Sequence, residues 1–272
     1  MAEVTESAPL CDDQPVERTW ANDDGPMLGG WLTIPGAFAA EVMGSAGFDW
    51  YCIDLQHGMI TRADLVETLQ GLDACGSLTL VRVPWNHPPD IMWALDAGAA
   101  GVIVPMVNDA EQARAAVSAC RFAPAGTRSW GPTRAALRTR PGAPTELDAS
   151  VRCIVMVETA EAVEHLDGIL AVPGVDGVFV GPSDLAVSMG LDPRDADDAA
   201  HTAAIEHILR RCLAHAVLPG IFCGTAQAAI RYRDIGYRLL ALCSDIRLVH
   251  DAASQALTHV RDGRTPTGHG SG

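Results

Sequence analysis

The chain has 272 residues, 48% of them hydrophobic, with a formal net charge of −15. That is enough apolar material for one (β/α)8 barrel or two small domains, with no apolar stretch long enough for a membrane span. The acidic balance lacks the basic patches that phosphate contact needs, so no nucleic acid and no membrane are expected as partners.

All 19 basic residues are Arg. Without a lysine amine, Schiff-base chemistry on a carbonyl or with pyridoxal phosphate is excluded, and so is a phosphate-binding P-loop.

Residues 1 to 26 read as a flexible acidic leader; residues 1 to 24 hold seven acids and one Arg. The leader lacks the basic and apolar regions of a signal peptide, which points to a cytoplasmic protein. The first strand is predicted over Met27 to Ile34 and a short helix over Pro35 to Gly44. The second strand, Phe48 to Asp54, ends on a carboxylate, and Gln56, His57 and Gly58 follow. Thr61 is the predicted N-cap of the next helix, with Asp64 three residues on. A third strand, Leu78 to Val83, carries Arg82 near its end. A helix over Ile91 to Ala97 and a fourth strand over Gly101 to Val104 follow, then a helix from Asp109 to Cys120.

Segment 121 to 150, rich in Pro, Gly and Arg, interrupts the rhythm and reads as a long functional or interface loop. A strand over Arg152 to Val157, a helix over 159 to 171 and a strand over Gly177 to Val180 come next. Gly181-Pro-Ser-Asp184 turns into a helical stretch, Leu185 to Met189. A helix over 198 to 215, a strand over Leu218 to Cys223, a helix over 225 to 234, a strand over Arg238 to Cys243 and a helix over 245 to 260 complete the pattern. Residues 261 to 272 read as a disordered tail. None of the eight cysteines forms a C-x-x-C pair, and Cys52, Cys153, Cys223 and Cys243 lie in apolar runs. They read as buried small hydrophobes, not as disulfides or a zinc site.

Eight strands alternating with helices predict a (β/α)8 TIM barrel over residues 27 to 260. No G-x-G-x-x-G follows the first strand, which weakens a dinucleotide-binding alternative. In a barrel every βα loop opens on one face. Glu158 follows strand five and Asp184 strand six, so two hard oxygen ligands stand on adjacent strand ends, a pattern that suits a divalent metal. His57 and Arg82 share the same rim. Singly, each has a plainer reading: a carboxylate as helix cap, a structural histidine, an arginine paired with an acid. Asp96, late in the third helix, reads either as a polar helix end or as a carboxylate that raises the basicity of a histidine. The amides of Ser183 and Asp184 form an anion-binding helix start, or simply a cap.

The chain resembles the HpcH/HpaI family of metal-dependent pyruvate aldolases. The matching stretches are Ala46 to Asp54 with His57, Val81 to Asn86, Val104 to Val107, Ala123 to Arg128, Val157 to Thr159 and Gly174 to Leu185. The resemblance implies a TIM barrel, assembled as a hexamer (a trimer of dimers) with an exchanged, domain-swapped C-terminal helix. It implies Glu158 and Asp184 as ligands of a divalent metal (Mg, Mn or Co). It further implies His57 as base, assisted by Asp96, and Arg82 as stabiliser of the enolate oxygen. Met156, Gly181 and Ser183 would contact substrate with Arg82 and Asp184. Two positions depart from the family pattern: Met156 stands where Gln is frequent, and Gln56 where Glu is.

The expected reaction is reversible cleavage of a 4-hydroxy-2-oxo acid to pyruvate and an aldehyde, so the partners are a small 2-oxo acid and an aldehyde. The alternatives are a β-hydroxyacyl thioester lyase or a 2-oxo diacid decarboxylase on the same site, or a catalytically silent metabolite-binding barrel.

Overall fold

A computed structural model describes residues 25–138, 143–195 and 197–262. The acidic leader, except for its last two positions, and the tail from residue 263 lie outside the described residues.

The strands are β1 (Met27–Leu32), β2 (Trp50–Asp54), β3 (Leu78–Arg82), β4 (Gly101–Val104), β5 (Arg152–Val157), β6 (Gly177–Val180), β7 (Leu218–Phe222) and β8 (Leu239–Ser244). They pair in sequence order, all parallel, and β8 closes on β1. The helices are α1 (Ala37–Gly44), α2 (Leu65–Asp73), α3 (Pro88–Asp96), α4 (Ala110–Cys120), α5 (Ala135–Arg138) and α6 (Pro144–Ser150). They continue with α7 (Ala160–Glu164), α8 (Leu166–Leu170), α9 (Pro182–Ser188), α10 (Ala199–Ala214), α11 (Ala226–Ile235) and α12 (Asp245–Arg261). The predicted (β/α)8 TIM barrel is therefore the fold.

The two-residue period of a strand sorts side chains between two cores. Tyr51, Ile53, Val81, Val155, Val157 and Val178 pack outward against the helices. Trp50, Cys52, Leu80, Ile154, Met156 and Phe179 fill the barrel interior. Trp50 is fully buried in the interior. Removing a side chain of that size from water takes away about 200 Å² of accessible surface, on the order of 5 kcal/mol of hydrophobic stabilisation. The space exists because residue 29 is Gly: a Cβ there would stand 2.2 Å from the Trp50 ring.

The same period puts the chemistry at the top of the inward rows. Trp50–Cys52–Asp54, Leu78–Leu80–Arg82 and Ile154–Met156–Glu158 each step up the barrel wall to a charged group.

Several elements differ from expectation. The second helix starts at Leu65, not Thr61, because the Asp64 carboxylate turns back to accept from the Thr61 amide and hydroxyl at 2.8 and 2.6 Å. The helix expected over 159 to 171 breaks at His165 into α7 and α8, where the His165 ring lies 3.2 Å from the Asn108 carbonyl. The start of α9 moves forward to Pro182, whose fixed φ suits a first helical turn. The 121 to 150 segment holds two short helices, and the Asp148 carboxylate ties its start by accepting from the Phe122 amide at 3.1 Å.

Helix α12 is unusual. Ile246, Leu248, Val249, Leu257 and Val260 are exposed, and Asp245 alone in the helix is buried.

Candidate active site

Asp54 and Arg82 close the inward rows of neighbouring strands and pair in register. Arg82 donates through Nε to Asp54 Oδ1 at 2.9 Å and through Nη2 to Oδ2 at 2.5 Å, a two-point fork that fixes the guanidinium plane. The Trp31 indole N–H also donates to Asp54 Oδ2 at 3.1 Å, and the Arg82 guanidinium carbon lies 5.0 Å from the Trp31 ring centroid. Burial alone would raise the Asp54 pKa, but the Arg82 hydrogen bonds and charge, with Trp31, bring it below the usual carboxylate value. Arg82 moves the other way: burial lowers it, and Asp54 more than compensates.

Asp54 also shapes the loop that carries the histidine. Its Oδ1 accepts from the amides of Gln56 at 3.0 Å and His57 at 3.2 Å. The β2–α2 loop is thus folded around one carboxylate that simultaneously anchors Arg82.

Across the barrel mouth stand Glu158 and Asp184. Glu158 is buried, and its Oε1 accepts from the Met106 amide at 2.7 Å. Met106 offers that amide from a left-handed conformation, φ 56°, which for a residue with a side chain costs on the order of 1 kcal/mol or more. Burial raises the Glu158 pKa; the Met106 amide opposes this, the Asp184 charge adds to it, and Arg82 opposes it. Gly181 leaves room for this carboxylate, since a Cβ there would lie 2.7 Å from Glu158 Oε2 and 3.1 Å from Met156 Cε. Asp184 sits in the first turn of α9, where the helix dipole favours a negative charge.

A cavity of about 230 Å³ joins the two halves. Its walls are Trp31, Thr33, Asp54, His57, Arg82, Met156, Phe179, Gly181, Pro182, Ser183, Asp184, Phe222 and Ser244. Trp31 stacks on Phe179 with ring centroids 5.5 Å apart and meets Phe222 edge-on, so the floor is apolar and the rim charged.

The residues fit a hard divalent ion. Glu158 and Asp184 are oxygen donors close enough that the Asp184 charge disfavours ionisation of Glu158, and a cation would relieve that repulsion. Among the described residues no three His, Cys, Asp or Glu side chains form a metal-binding group. Two protein carboxylates would leave the remaining coordination positions to substrate and water.

Of the residues expected at the site, His57, Arg82, Met156, Gly181, Ser183 and Asp184 line this cavity, and Glu158 borders it through Gly181. Asp96 does not join them within this chain, contrary to its expected role beside His57. It ends α3 and accepts from Arg128 Nη2 at 2.6 Å. Arg128 lines a different cavity, with Ala100 just ahead of β4 and Val151 just ahead of β5, at the opposite end of the barrel. The group that contacts the His57 segment is Asp54, whose significance the sequence reading missed. Its signal was present: a third strand ending on a carboxylate, like the strands before Glu158 and Asp184.

A family profile described as HpcH/HpaI aldolase/citrate lyase matches residues 28–252. The chain is 38% identical over 245 residues to a hydroxypyruvate/pyruvate aldolase of Rhizorhabdus wittichii, covering 90% of this chain and 98% of that one. It is 38% identical over 244 residues to a 2-dehydro-3,6-dideoxy-6-sulfogluconate aldolase of Pseudomonas putida, covering 88% and 94%. Among solved structures, an HpcH/HpaI aldolase/citrate lyase family protein of Burkholderia cenocepacia superposes with a TM-score of 0.83 at 36% identity, covering 88% and 95%.

Proposed function

This chain belongs to the HpcH/HpaI aldolase/citrate lyase family, and from that premise we propose that it is a divalent-metal-dependent pyruvate aldolase. It reversibly cleaves a 4-hydroxy-2-oxo acid to pyruvate and an aldehyde. One observation carries the reading: a chain without lysine gathers His57, Arg82 and Asp184 around one cavity, with Glu158 against its Gly181 wall.

Glu158 and Asp184 would hold Mg, Mn or Co. When bound, the ion supplies Lewis-acid stabilisation of negative charge on the 2-oxo oxygen. The chain's own residues do the rest. Ser183 and Asp184 offer their amides to the substrate carboxylate. His57 takes the proton of the 4-hydroxyl, the C3–C4 bond breaks, and the electron pair passes into the enolate of pyruvate as the aldehyde leaves. Arg82 has one nitrogen, Nη1, not engaged by Asp54; it donates to the oxygen on which charge develops. Protonation of the enolate at C3 releases pyruvate. Met156 forms an apolar wall beside Glu158, where it offers dispersion contact but no strong hydrogen bond.

The uncovered apolar face of α12 supports its exchange between protomers, within a hexamer built as a trimer of dimers. The free thiols of the described cysteines suit a cytoplasmic setting.

The test is pyruvate release from 4-hydroxy-2-oxo acids before and after chelation, with thioester cleavage assayed in parallel. Activity lost on chelation and restored by a divalent ion is expected. Full activity after metal stripping, or thioester cleavage without pyruvate release, overturns the reading.

A further inference from the structure

We propose that His201 is a positioning residue for the substrate carboxylate: by holding the Pro182 carbonyl it aims the Ser183 amide of the same peptide unit. This rests on the aldolase reading above, in which that amide receives the carboxylate.

His201 is a polar side chain in an apolar place. The buried face of α10 runs His201, Ile205, Ile208, Leu209 and Cys212, the spacing of a core-facing helical stripe. An imidazole there must find a hydrogen-bond partner or cost free energy. Its partner is the Pro182 carbonyl oxygen, 2.8 Å from Nε2. A carbonyl only accepts, so the geometry assigns the ring proton to Nε2. Nδ1 is buried and meets no partner among the described residues, so a hydrogen there would be unpaired. The backbone beneath the ring is fixed as well. The Asp198 carboxylate caps α10 and accepts from the Ala200 and His201 amides at 2.8 and 2.9 Å.

The bond acts on Ser183 because a peptide unit is rigid. The Pro182 C=O and the Ser183 N–H share one plane and point in opposite directions across a trans bond. The proline ring already fixes φ of Pro182, so the freedom left is its ψ, which swings that plane. Helix α9 has seven residues, too few to hold its first turn firmly by itself, whereas α10 has sixteen. His201 ties the plane to the longer helix. The N–H is left on the side away from the imidazole, and Ser183 lines the cavity. Donation to the oxygen also polarises the amide, which makes its N–H a stronger donor. Gly181, the residue ahead of α9, makes no side-chain cap bond that would compete for that hydrogen.

The experiment compares the full-length wild type with His201→Leu and His201→Gln. Leu fills a similar space without a donor, and it suits the buried stripe. Gln offers an N–H to the same oxygen. Exchange of the pyruvate methyl protons in D2O at saturating Mg²⁺ gives KM and kcat, and calorimetric titration gives the Mn²⁺ affinity.

His201→Leu should raise KM for pyruvate about tenfold with kcat within about twofold, because a carboxylate contact kept throughout the reaction is uniform binding. His201→Gln should recover most of the loss, and both variants should bind Mn²⁺ as the wild type does. An unchanged KM in folded His201→Leu overturns the inference. So does an equal rise in both variants, or a loss of Mn²⁺ affinity alongside the rise, which would place the effect on Asp184. If His201→Leu does not fold, the imidazole resonances of the wild type decide. A proton on Nε2 whose resonance moves when pyruvate binds is expected; a proton on Nδ1, or an unmoved resonance, overturns the inference. Absence of methyl exchange in the metal-loaded wild type overturns the aldolase reading itself, and this inference with it.

Discussion

Arg82 spends two of its three guanidinium nitrogens on Asp54, at 2.9 and 2.5 Å. The pair is buried, and the same carboxylate holds the amides of Gln56 and His57. One acid therefore sets both the plane of the cation and the course of the histidine loop. Replacing Arg82 with Lys keeps the charge but removes the fork, since an ammonium is a compact point donor. Arg82→Lys should lower kcat for pyruvate release by roughly 10²–10³-fold, as for loss of one oxyanion-stabilising donor. Steady-state kinetics on folded protein checks this, and an unchanged kcat would reduce Arg82 to a counter-ion of Asp54.

The pH dependence of stability follows from the same pair. Burial alone would raise the Asp54 pKa, yet Arg82 and Trp31 bring it net below the unfolded value. A depressed carboxyl contributes stability that is fully present above the unfolded pKa, about 4, and is lost as pH falls through the lower folded value. Asp54→Asn should therefore flatten the acid side of the unfolding profile. At neutral pH it should destabilise by about 3–5 kcal/mol, because the buried Arg82 is left without its partner charge. Thermal unfolding of both proteins from pH 3 to pH 7 provides the comparison. Parallel profiles would mean that the pair is broken or solvated in solution.

On the proposed reading Glu158 and Asp184 form one ligand set, so loss of either is expected to remove metal binding without removing the fold. Glu158→Gln keeps an oxygen to accept from the Met106 amide and discards the charge. The far-UV spectrum and unfolding temperature of the metal-free variant should stay near or above those of the wild type. Calorimetric titration with Mn²⁺ should show affinity falling by two orders of magnitude or more, about 3 kcal/mol. Wild-type affinity in both Glu158→Gln and Asp184→Asn would place the ion elsewhere.

Much of this was legible in the chain before any fold was seen. The barrel was legible because buried parallel strands are short Val- and Ile-rich runs, as in Gly101–Val104 and Gly177–Val180, both of which fall where periodicity put them. The Asp109 cap was legible because its side chain has a local partner, the Gln112 amide at 2.8 Å. Asp54 was overlooked for the opposite reason. Its partners Arg82 and Trp31 come from neighbouring strands, and no local pattern announces a cross-strand bond. Asp96 shows the same limit in reverse: its partner Arg128 stands 32 residues away, beyond the reach of helix periodicity. The break at His165 depends on contact with the Asn108 carbonyl, again a tertiary cause.

The last prediction concerns α12. It is amphipathic, yet its apolar residues Ile246, Leu248, Val249, Leu257 and Val260 face solvent in the isolated chain. A surface helix ordinarily turns its apolar side to a core. Here the only buried residue of the helix is Asp245, fixed to the backbone of Thr33 and Ile34. The helix is thus anchored at its first turn and otherwise uncovered, an arrangement that suits packing on a second copy. Leu257 and Val260 lie one turn apart near the free end, far from the Asp245 anchor. Leu257→Asp combined with Val260→Asp should break the association while leaving the barrel folded. Light scattering coupled to size-exclusion chromatography should report a single-chain mass for the variant and a multiple of it for the wild type. If the wild type itself runs as a monomer, the exposed face of α12 serves something other than self-association.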